Sequence, residues 1–237
     1  RSVYSRSKVK KDIERMLSLY QRSGRLSTEI MPTVELLENN RVNLTYEIEE
    51  SDIAEVSKII ILGNKIYSSS KIKSLMKTKE KTLLRFLSSA DRYDPNKLDY
   101  DKQLINQFYN NNGYPEFKII SSIAQLSLNK NDFEVIISVS EGSKFNFGEI
   151  DVSTKLKKMN SDAILSLLPF KSGDLYDASK IKKTVEQIKE LAELNGYTFI
   201  EINPQLIPDN ENNEVDLNLE IIEGPRVYVS QIDFCFI

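Results

Sequence analysis

The sequence predicts an α+β protein built from tandem copies of one unit, in which a strand is followed by two helices and two further strands (βααββ). The first observation is a recurring spacing: a tyrosine lies twenty residues before a glycine, and a glutamate follows that glycine after 26 to 28 residues. The three sets are Tyr4, Gly24 and Glu50; Tyr93, Gly113 and Glu141; and Tyr176, Gly196 and Glu223. Repeats of this kind favour a modular binding rod over a single catalytic body, because each copy buries its own core.

The second observation is helical periodicity before each of these glycines. One apolar stripe recurs at helical spacing in the first copy and another in the third: Val9, Ile13, Met16, Leu17 and Tyr20; Ile181, Val185, Ile188 and Leu191. A glycine after the last turn predicts a helix end, because glycine adopts the left-handed conformation without a Cβ penalty. Shorter helices are predicted over Ser68–Met76, with Ser70 as N-cap, and over Ser161–Leu168, with Ser161 as N-cap.

The third observation is a strand with alternating apolar residues before each glutamate. The predicted inward positions are Val42, Leu44, Tyr46 and Ile48; Phe133, Val135, Ile137 and Val139; and Val215, Leu217, Leu219 and Ile221. Another strand precedes each of these after an Asn/Asp-rich turn, so each pair is predicted to be a β-hairpin. Ile136 and Ile222 interrupt the polar face, which suggests a second contact surface. Strands over Val56–Leu62, Phe147–Val152 and Val227–Phe236 are predicted to open successive units.

These elements predict four segments. Residues 1–52 form the second half of a unit, 53–142 and 143–224 form complete units, and 225–237 supply the first strand of another. No apolar run reaches the ~18 residues of a transmembrane helix, and no signal peptide opens the sequence. We therefore expect the chain to be a piece of a longer protein.

Composition argues against catalysis and against nucleic-acid binding. The chain has 32 basic and 35 acidic residues, a net charge of −3, and no GxxG loop of the kind an RNA-binding KH module requires. It contains no histidine and no glycine-rich phosphate loop, so we predict no enzyme activity, no cofactor and no metal site. Its one cysteine, Cys235, is expected to be a small buried hydrophobe. The acidic pairs Glu49-Glu50 and Asp99/Asp101 are expected to be solvated strand ends and helix caps.

Short motifs at fixed places in the repeat carry a resemblance to a known family. The turn after the first strand contains Gly63-Asn64, the second helices lead to Gly24, Gly113-Tyr114 and Gly196-Tyr197, and the last strands end in Glu141-Gly142 and Glu223-Gly224. In this order they resemble the polypeptide-transport-associated (POTRA) domain. Within that superfamily the chain is most similar to the periplasmic arm of the BamA family of outer-membrane protein assembly factors. By that resemblance the complete copies match its third and fourth domains. The sequence departs from the pattern at Glu49-Glu50-Ser51, which lacks the glycine, and at Ser153-Thr154-Lys155, where Gly-Asn does not recur.

The resemblance implies a fold, a location and a set of partners. Each unit would be a three-stranded mixed sheet covered by two antiparallel helices, with one hairpin strand at the sheet edge. The chain would lie on the periplasmic face of the Gram-negative outer membrane. Its partners would be unfolded outer-membrane protein precursors, accessory lipoproteins of the assembly complex, and its own C-terminal β-barrel, which this sequence does not contain. No nucleic acid is expected.

An edge strand has unpaired N–H and C=O groups, so a precursor could bind by adding a strand (β-augmentation). The predicted client-binding edge consists of Phe117, Lys118, Ile119, Ile120, Ser121, Ser122, Ile123, Ala124 and Gln125. Its alternation slips at Ile119-Ile120 and Ser121-Ser122, which predicts a β-bulge. Either the edge binds a client strand despite the bulge, or the bulge merely protects the edge from aggregation. A second candidate edge, Phe199, Ile200, Glu201 and Ile202, is expected to end at Pro204 and to be a poorer template.

Two other functional classes share this domain type. One is the POTRA arm of a two-partner secretion or autotransporter-assembly transporter, which serves narrower clients. The other is a non-transport scaffold, such as a division-type protein with a single POTRA unit. Several tandem copies argue against the single-unit scaffold, and the number of domains in the full gene distinguishes the remaining candidates.

Overall fold

The structure, a computed structural model, describes residues 3–82, 91–126 and 132–225. The described residues pack as two compact units. The first contains those up to Asn106 together with Lys118–Glu141, and the second contains Gln107–Phe117 with those from Gly142 onward. The predicted last strand, Val227–Phe236, and Cys235 lie outside the described residues. Within the described ranges, no helix is both long and apolar enough to cross a membrane.

The first unit begins with a helix and a hairpin. Helix α1 spans Arg6–Arg22, and strands β1 (Glu29–Leu37) and β2 (Arg41–Glu49) form a two-stranded antiparallel sheet. The turn between the strands places Asn39 and Asn40 in the left-handed region, with φ of 62° and 55°, which asparagine tolerates better than most residues. Within α1, Val9 is buried. The predicted inward position Ile48 of the hairpin is 42% exposed, so part of the apolar face of the hairpin is open to solvent.

A three-stranded mixed sheet follows in the first unit. Its strands are β3 (Glu55–Leu62), β4 (Lys118–Leu126) and β5 (Asp132–Ser140). Strand β5 is central, parallel to β3 and antiparallel to β4. Apolar residues from the strands and from the helices α2 (Ser69–Leu75) and α3 (Pro95–Asn110) are buried, among them Val56, Ile59, Ile61, Ile72, Ile105, Val135, Ile137 and Val139.

The second unit repeats this topology. Its strands are β6 (Asn146–Thr154), β7 (Ile200–Asp209) and β8 (Glu214–Glu223), and its helices are α4 (Ser161–Ser166) and α5 (Ala178–Leu194). Strand β8 is central, parallel to β6 and antiparallel to β7. One apolar core joins the strands and the two helices. The predicted inward residues of β8 all belong to it: Val215, Leu217, Leu219 and Ile221. The predicted α+β fold of tandem βααββ units is confirmed.

The N-caps of the two short helices differ from the predicted ones by one or two residues. Ser68, and not Ser70, is the N-cap of α2, because its hydroxyl accepts the N–H of Lys71. Asn160, and not Ser161, caps α4, and its side-chain oxygen accepts the N–H groups of Asp162 and Ala163. In both cases the cap is the residue with extended backbone just before the first helical residue, whose side chain can turn back onto the first turn.

Candidate functional site: an open strand edge

Strand β3, at one side of the first sheet, has its outer edge covered by a segment from elsewhere in the same unit. The N–H of Val56 donates to the carbonyl of Asp91 at 2.7 Å, and the carbonyl of Val56 accepts the N–H of Lys81 at 2.7 Å. The N–H of Ile59 donates to the carboxylate of Glu80 at 2.8 Å. Three of the backbone groups that β3 turns away from the sheet therefore already have partners.

The carboxylate of Glu80 is held at this covered edge by a lysine. Lys73 Nζ lies 2.7 Å from Glu80 Oε1. Burial raises the pKa of Glu80, but the hydrogen bond from Lys73, the N–H of Ile59 and the nearby charges of Lys73 and Lys58 outweigh it. The net effect is a pKa below its usual value. The ionised form of Glu80 is therefore the one that covers the edge.

Strand β4, at the other side of the sheet, pairs with β5 on one edge only. Within the described residues no strand or segment is paired to its opposite edge. A row of backbone N–H and C=O groups on an unpaired edge is a template for a further strand. This open edge is the candidate functional site.

The register of β4 against β5 contains the predicted β-bulge. Ile119 is opposite Val139 and Ser121 is opposite Ser138, so Ile120 is the extra residue. Its side chain is 66% exposed. The irregularity predicted from Ile119-Ile120 and Ser121-Ser122 is thereby confirmed, because one inserted residue shifts the alternation of the strand.

The two faces of β4 differ in character. Ser122 and Ala124 are opposite the buried residues Ile137 and Val135, so small side chains occupy the inner face of the edge strand. The Ser122 hydroxyl is buried and has no hydrogen-bond partner among the described residues. On the outer face Ile123 is 53% exposed and is opposite Ile136. Ile136 is in turn opposite Ile60 of β3, so an apolar row crosses the open face of the sheet.

Phe117, the first residue of the predicted binding edge, does not belong to it. The strand begins at Lys118, and Phe117 is only 3% exposed. Its ring stacks on Tyr109, with 4.0 Å between the ring centroids. Period-two alternation assigned Phe117 to the strand, but aromatic stacking holds it in a core, where a client cannot contact it. Lys118, Ile119, Ile120, Ser121, Ser122, Ile123, Ala124 and Gln125 all lie in β4.

The second candidate edge is longer than predicted and starts one residue later. Strand β7 spans Ile200–Asp209, so it includes Glu201 and Ile202 but not Phe199. It does not end at Pro204: Pro204 is opposite Leu219, and Pro208 is opposite Val215. Proline is tolerated in an edge strand where the missing N–H would point away from the paired strand. The open edge of β7 therefore lacks donors at both prolines.

The residues of the recurring motifs shape turns. Gly24, Gly113 and Gly196 have φ of 87°, 94° and 89°, as expected for residues that end helices, and Gly63 and Gly142 also have positive φ. Glu141 accepts the N–H groups of Lys65 and Ile66 at 2.6 and 2.9 Å, so the Glu-Gly motif holds the turn that contains Gly63 and Asn64. The Asn64 side chain donates to the carbonyl of Tyr67 at 2.8 Å. Of the other motif residues, Tyr114 is buried, Tyr197 and Gly224 are half-buried, and Glu223 is exposed.

One acidic residue departs from its expected role. Asp101 is fully buried, and its carboxylate accepts the N–H of Lys77 and, at 3.0 Å, that of Thr78. It anchors the segment after α2 instead of capping a helix in solvent.

In the described parts of the chain, no group of three or more Cys, Asp or Glu side chains is arranged to hold a metal ion.

The fold is that of a small α+β domain in which one edge of a three-stranded mixed sheet lies open in the described residues. The chain belongs to the POTRA family, described as "surface antigen variable number repeat", whose model matches residues 1–51, 54–142 and 145–224. Among similar proteins, the outer membrane protein assembly factor BamA of Neisseria meningitidis serogroup B is 29% identical over 90% of this chain and 27% of its own length. The BamA of Neorickettsia risticii is 20% identical over 98% of this chain and 31% of its own length. The chain thus spans roughly a third or less of these relatives.

Solved structures support the same fold. The crystal structure of Haemophilus influenzae BamA POTRA3-5 superposes with a TM-score of 0.61 at 24% identity, covering 73% of this chain and 67% of that one. BamA from Haemophilus ducreyi lacking POTRA domains 1-3 superposes with a TM-score of 0.52 at 15% identity, covering 72% of this chain and 29% of that one. At these identities the likeness shows the fold alone.

Proposed function

We propose that this chain is a periplasmic scaffold of the outer-membrane β-barrel assembly machinery, and that it receives unfolded outer-membrane protein precursors by β-augmentation at β4. The observation that carries the proposal is the state of the strand edges. The β4 edge is open and free of proline, whereas β1 contains Pro32 and β7 contains Pro204 and Pro208. Membership of the POTRA family and the names of the similar proteins support the role in assembly. The role requires no catalysis.

Strand addition suits a scaffold with many clients. Main-chain hydrogen bonds supply the affinity and make little demand on client sequence, while alternate side chains adjust the contact. At β4 the exposed Ile120 and Ile123 lie where they can contact apolar side chains of an added strand. The bulge at Ile120 increases the local twist of the edge, which limits pairing between copies of the chain and still leaves room for a short client segment.

The proposal extends to the organisation and location of the chain. Residues 1–52 would be the second half of a POTRA domain, 53–142 and 143–224 two complete domains, and 225–237 the first strand of a further one. The domains would lie on the periplasmic face of the outer membrane, next to the protein's own barrel, and would also dock accessory lipoproteins of the assembly complex.

A peptide titration tests the binding edge. The isotopically labelled chain is titrated with a peptide from the terminal strand of an outer-membrane barrel, and amide shifts are followed by NMR. Shifts confined to Lys118–Leu126 and its neighbours are expected at millimolar peptide. The matched control is the same peptide with alternate amides N-methylated, which keeps the side chains and removes the main-chain donors. Absence of shifts along β4, or equal binding of the methylated peptide, would overturn the proposal.

A further inference from the structure

The second unit contains an apolar groove between its two helices. Its floor and walls are the side chains of Ile164, Leu168, Ile188 and Leu191, and its volume is about 320 Å³. This volume is near the lower limit of pockets that hold small organic groups. The groove is a second kind of surface, which the proposed strand addition does not use.

Leucines at the mouth of the groove are unusually exposed. Leu167, the C-terminal cap of α4, is 66% exposed, and Leu194, the last residue of α5, is 86% exposed. Both residues line the groove. A group that enters the groove would remove apolar surface of both leucines from water, which favours binding.

One polar atom in the groove lacks a partner. Thr184 lines the groove and is 3% exposed, and its hydroxyl has no hydrogen-bond partner among the described residues. A buried hydroxyl without a partner is costly, and the cost is recovered when a ligand supplies the missing hydrogen bond. Threonine in a helix has two accessible side-chain rotamers, so the hydroxyl can turn toward an occupant.

The charge at the groove restricts the occupant further. Among the described residues that line this groove, Glu190 is the one that carries a charge, so a fatty-acid carboxylate or another anion is disfavoured there. A purely aliphatic group would leave the Thr184 hydroxyl unsatisfied. A neutral aromatic ring with a hydroxyl at its tip fills the apolar space, reaches a polar partner and carries no charge.

We infer that the groove between α4 and α5 is a docking site for a tyrosine side chain of a partner protein, with Thr184 as the hydrogen-bond partner of the phenol. The exposed leucines and the helix faces on either side make it accessible to an anchor residue on another chain. Aromatic side chains of this type are common anchors in protein interfaces. The assignment does not depend on strand addition at β4.

Side-chain analogues test the inference on the full 237-residue chain. NMR titrations compare p-cresol, toluene and 3-methylindole, which correspond to the side chains of tyrosine, phenylalanine and tryptophan. We expect shifts at Ile164, Leu168, Thr184 and Leu191, with p-cresol binding about 5- to 10-fold more tightly than toluene, the effect of one hydrogen bond. The near-isosteric variant Thr184→Val should remove this preference, while toluene still binds.

Two further arms separate the alternatives. N-acetyl-tyrosine methylamide should bind more tightly than its phenylalanine counterpart, because the occupant is a residue of a protein. If p-cresol binds but the tyrosine amide does not, the site does not take a protein side chain and the inference is wrong. Equal affinity for p-cresol and toluene, stronger binding of 3-methylindole, or no shifts in the groove would each overturn it. Circular dichroism of Thr184→Val checks that the helices are retained.

Discussion

The carboxylate of Glu141 accepts the backbone N–H of Ile66 at 2.9 Å, although the two residues are 75 positions apart. It also accepts the N–H of Lys65 at 2.6 Å, and the glutamate is 7% exposed. The end of strand β5 thus holds the turn that follows β3, so the parallel pair of strands is fastened at this end by a charged group. This relationship gives Glu141 a structural role.

Replacement of Glu141 by alanine should therefore destabilise the first unit. Three N–H groups, those of Lys65, Ile66 and, at 3.4 Å, Tyr67, would lose a charged acceptor, which corresponds to a loss of about 3 kcal/mol in the free energy of unfolding. Urea denaturation followed by circular dichroism measures the change. Asp99→Asn is the matched control: the Asp99 side chain is 65% exposed and forms an i,i+3 pair with Lys102, so the change should cost under ~0.5 kcal/mol. Equal losses in the two variants would contradict the assigned role.

Gly63 should be far less replaceable than Gly173, although both have positive φ, 86° and 85°. A Cβ on Gly63 would lie 2.2 Å from the carbonyl oxygen of Val139, whereas nothing lies within 4 Å of a Cβ on Gly173. Gly173→Ala should cost about 1 kcal/mol, the penalty of the left-handed conformation alone. Gly63→Ala should cost clearly more, since the backbone must move. Thermal unfolding of the two variants checks this, and a difference below about 0.5 kcal/mol would argue against the close contact.

The stabilisation that Glu80 gives to the covered edge of β3 should be lost in acid. The pKa of Glu80 is held below its usual value of 4.5, so its contribution to stability is fully present above that value and is lost as the pH falls through the lowered pKa. Unfolding of the wild type and of Glu80→Gln is measured between pH 7 and pH 3. The difference in unfolding free energy should be greatest at neutral pH and shrink in acid. The variant Lys73→Met removes one of the partners of Glu80. Its free energy of unfolding should therefore fall less between pH 7 and pH 3 than that of the wild type. A difference that does not change with pH would contradict it.

Restoring donors to β7 should create a second place for strand addition. In Pro204→Val/Pro208→Val the open edge regains two N–H groups, and valine favours extended backbone. Titration with the barrel peptide should then shift the amides of Ile200–Asp209 as well as those of β4. Asn203→Val/Gln205→Val is the control, because it raises strand propensity on β7 without adding an N–H. If the control gains binding as the proline variant does, the missing donors are not what closes the edge.

Local pattern was sufficient to predict most of the elements. Alternation identified β5 and β8 because period two follows from the pleat. Helical spacing identified α1 and α5 because residues three and four positions apart share one face of a helix. The slip at Ile119-Ile120 even predicted a bulge, since one extra residue must interrupt the alternation. Phe117 was placed wrongly, because stacking on Tyr109 is a tertiary contact that strand periodicity does not encode.

The sequence by itself thus determined the repeat, the unit type and the presence of a hairpin in each copy, because these depend on residues close together in the chain. Only the tertiary structure decided which edges are open. Lys81 and Asp91 cover β3 through hydrogen bonds to Val56, and Glu80 does so through Ile59, over 21 or more positions along the chain. The direction of the backbone groups at Pro204 and Pro208 likewise depends on pairing with β8. Hydrogen bonds between distant segments leave no periodic trace in sequence, so the availability of β4 is a property of the folded sheet.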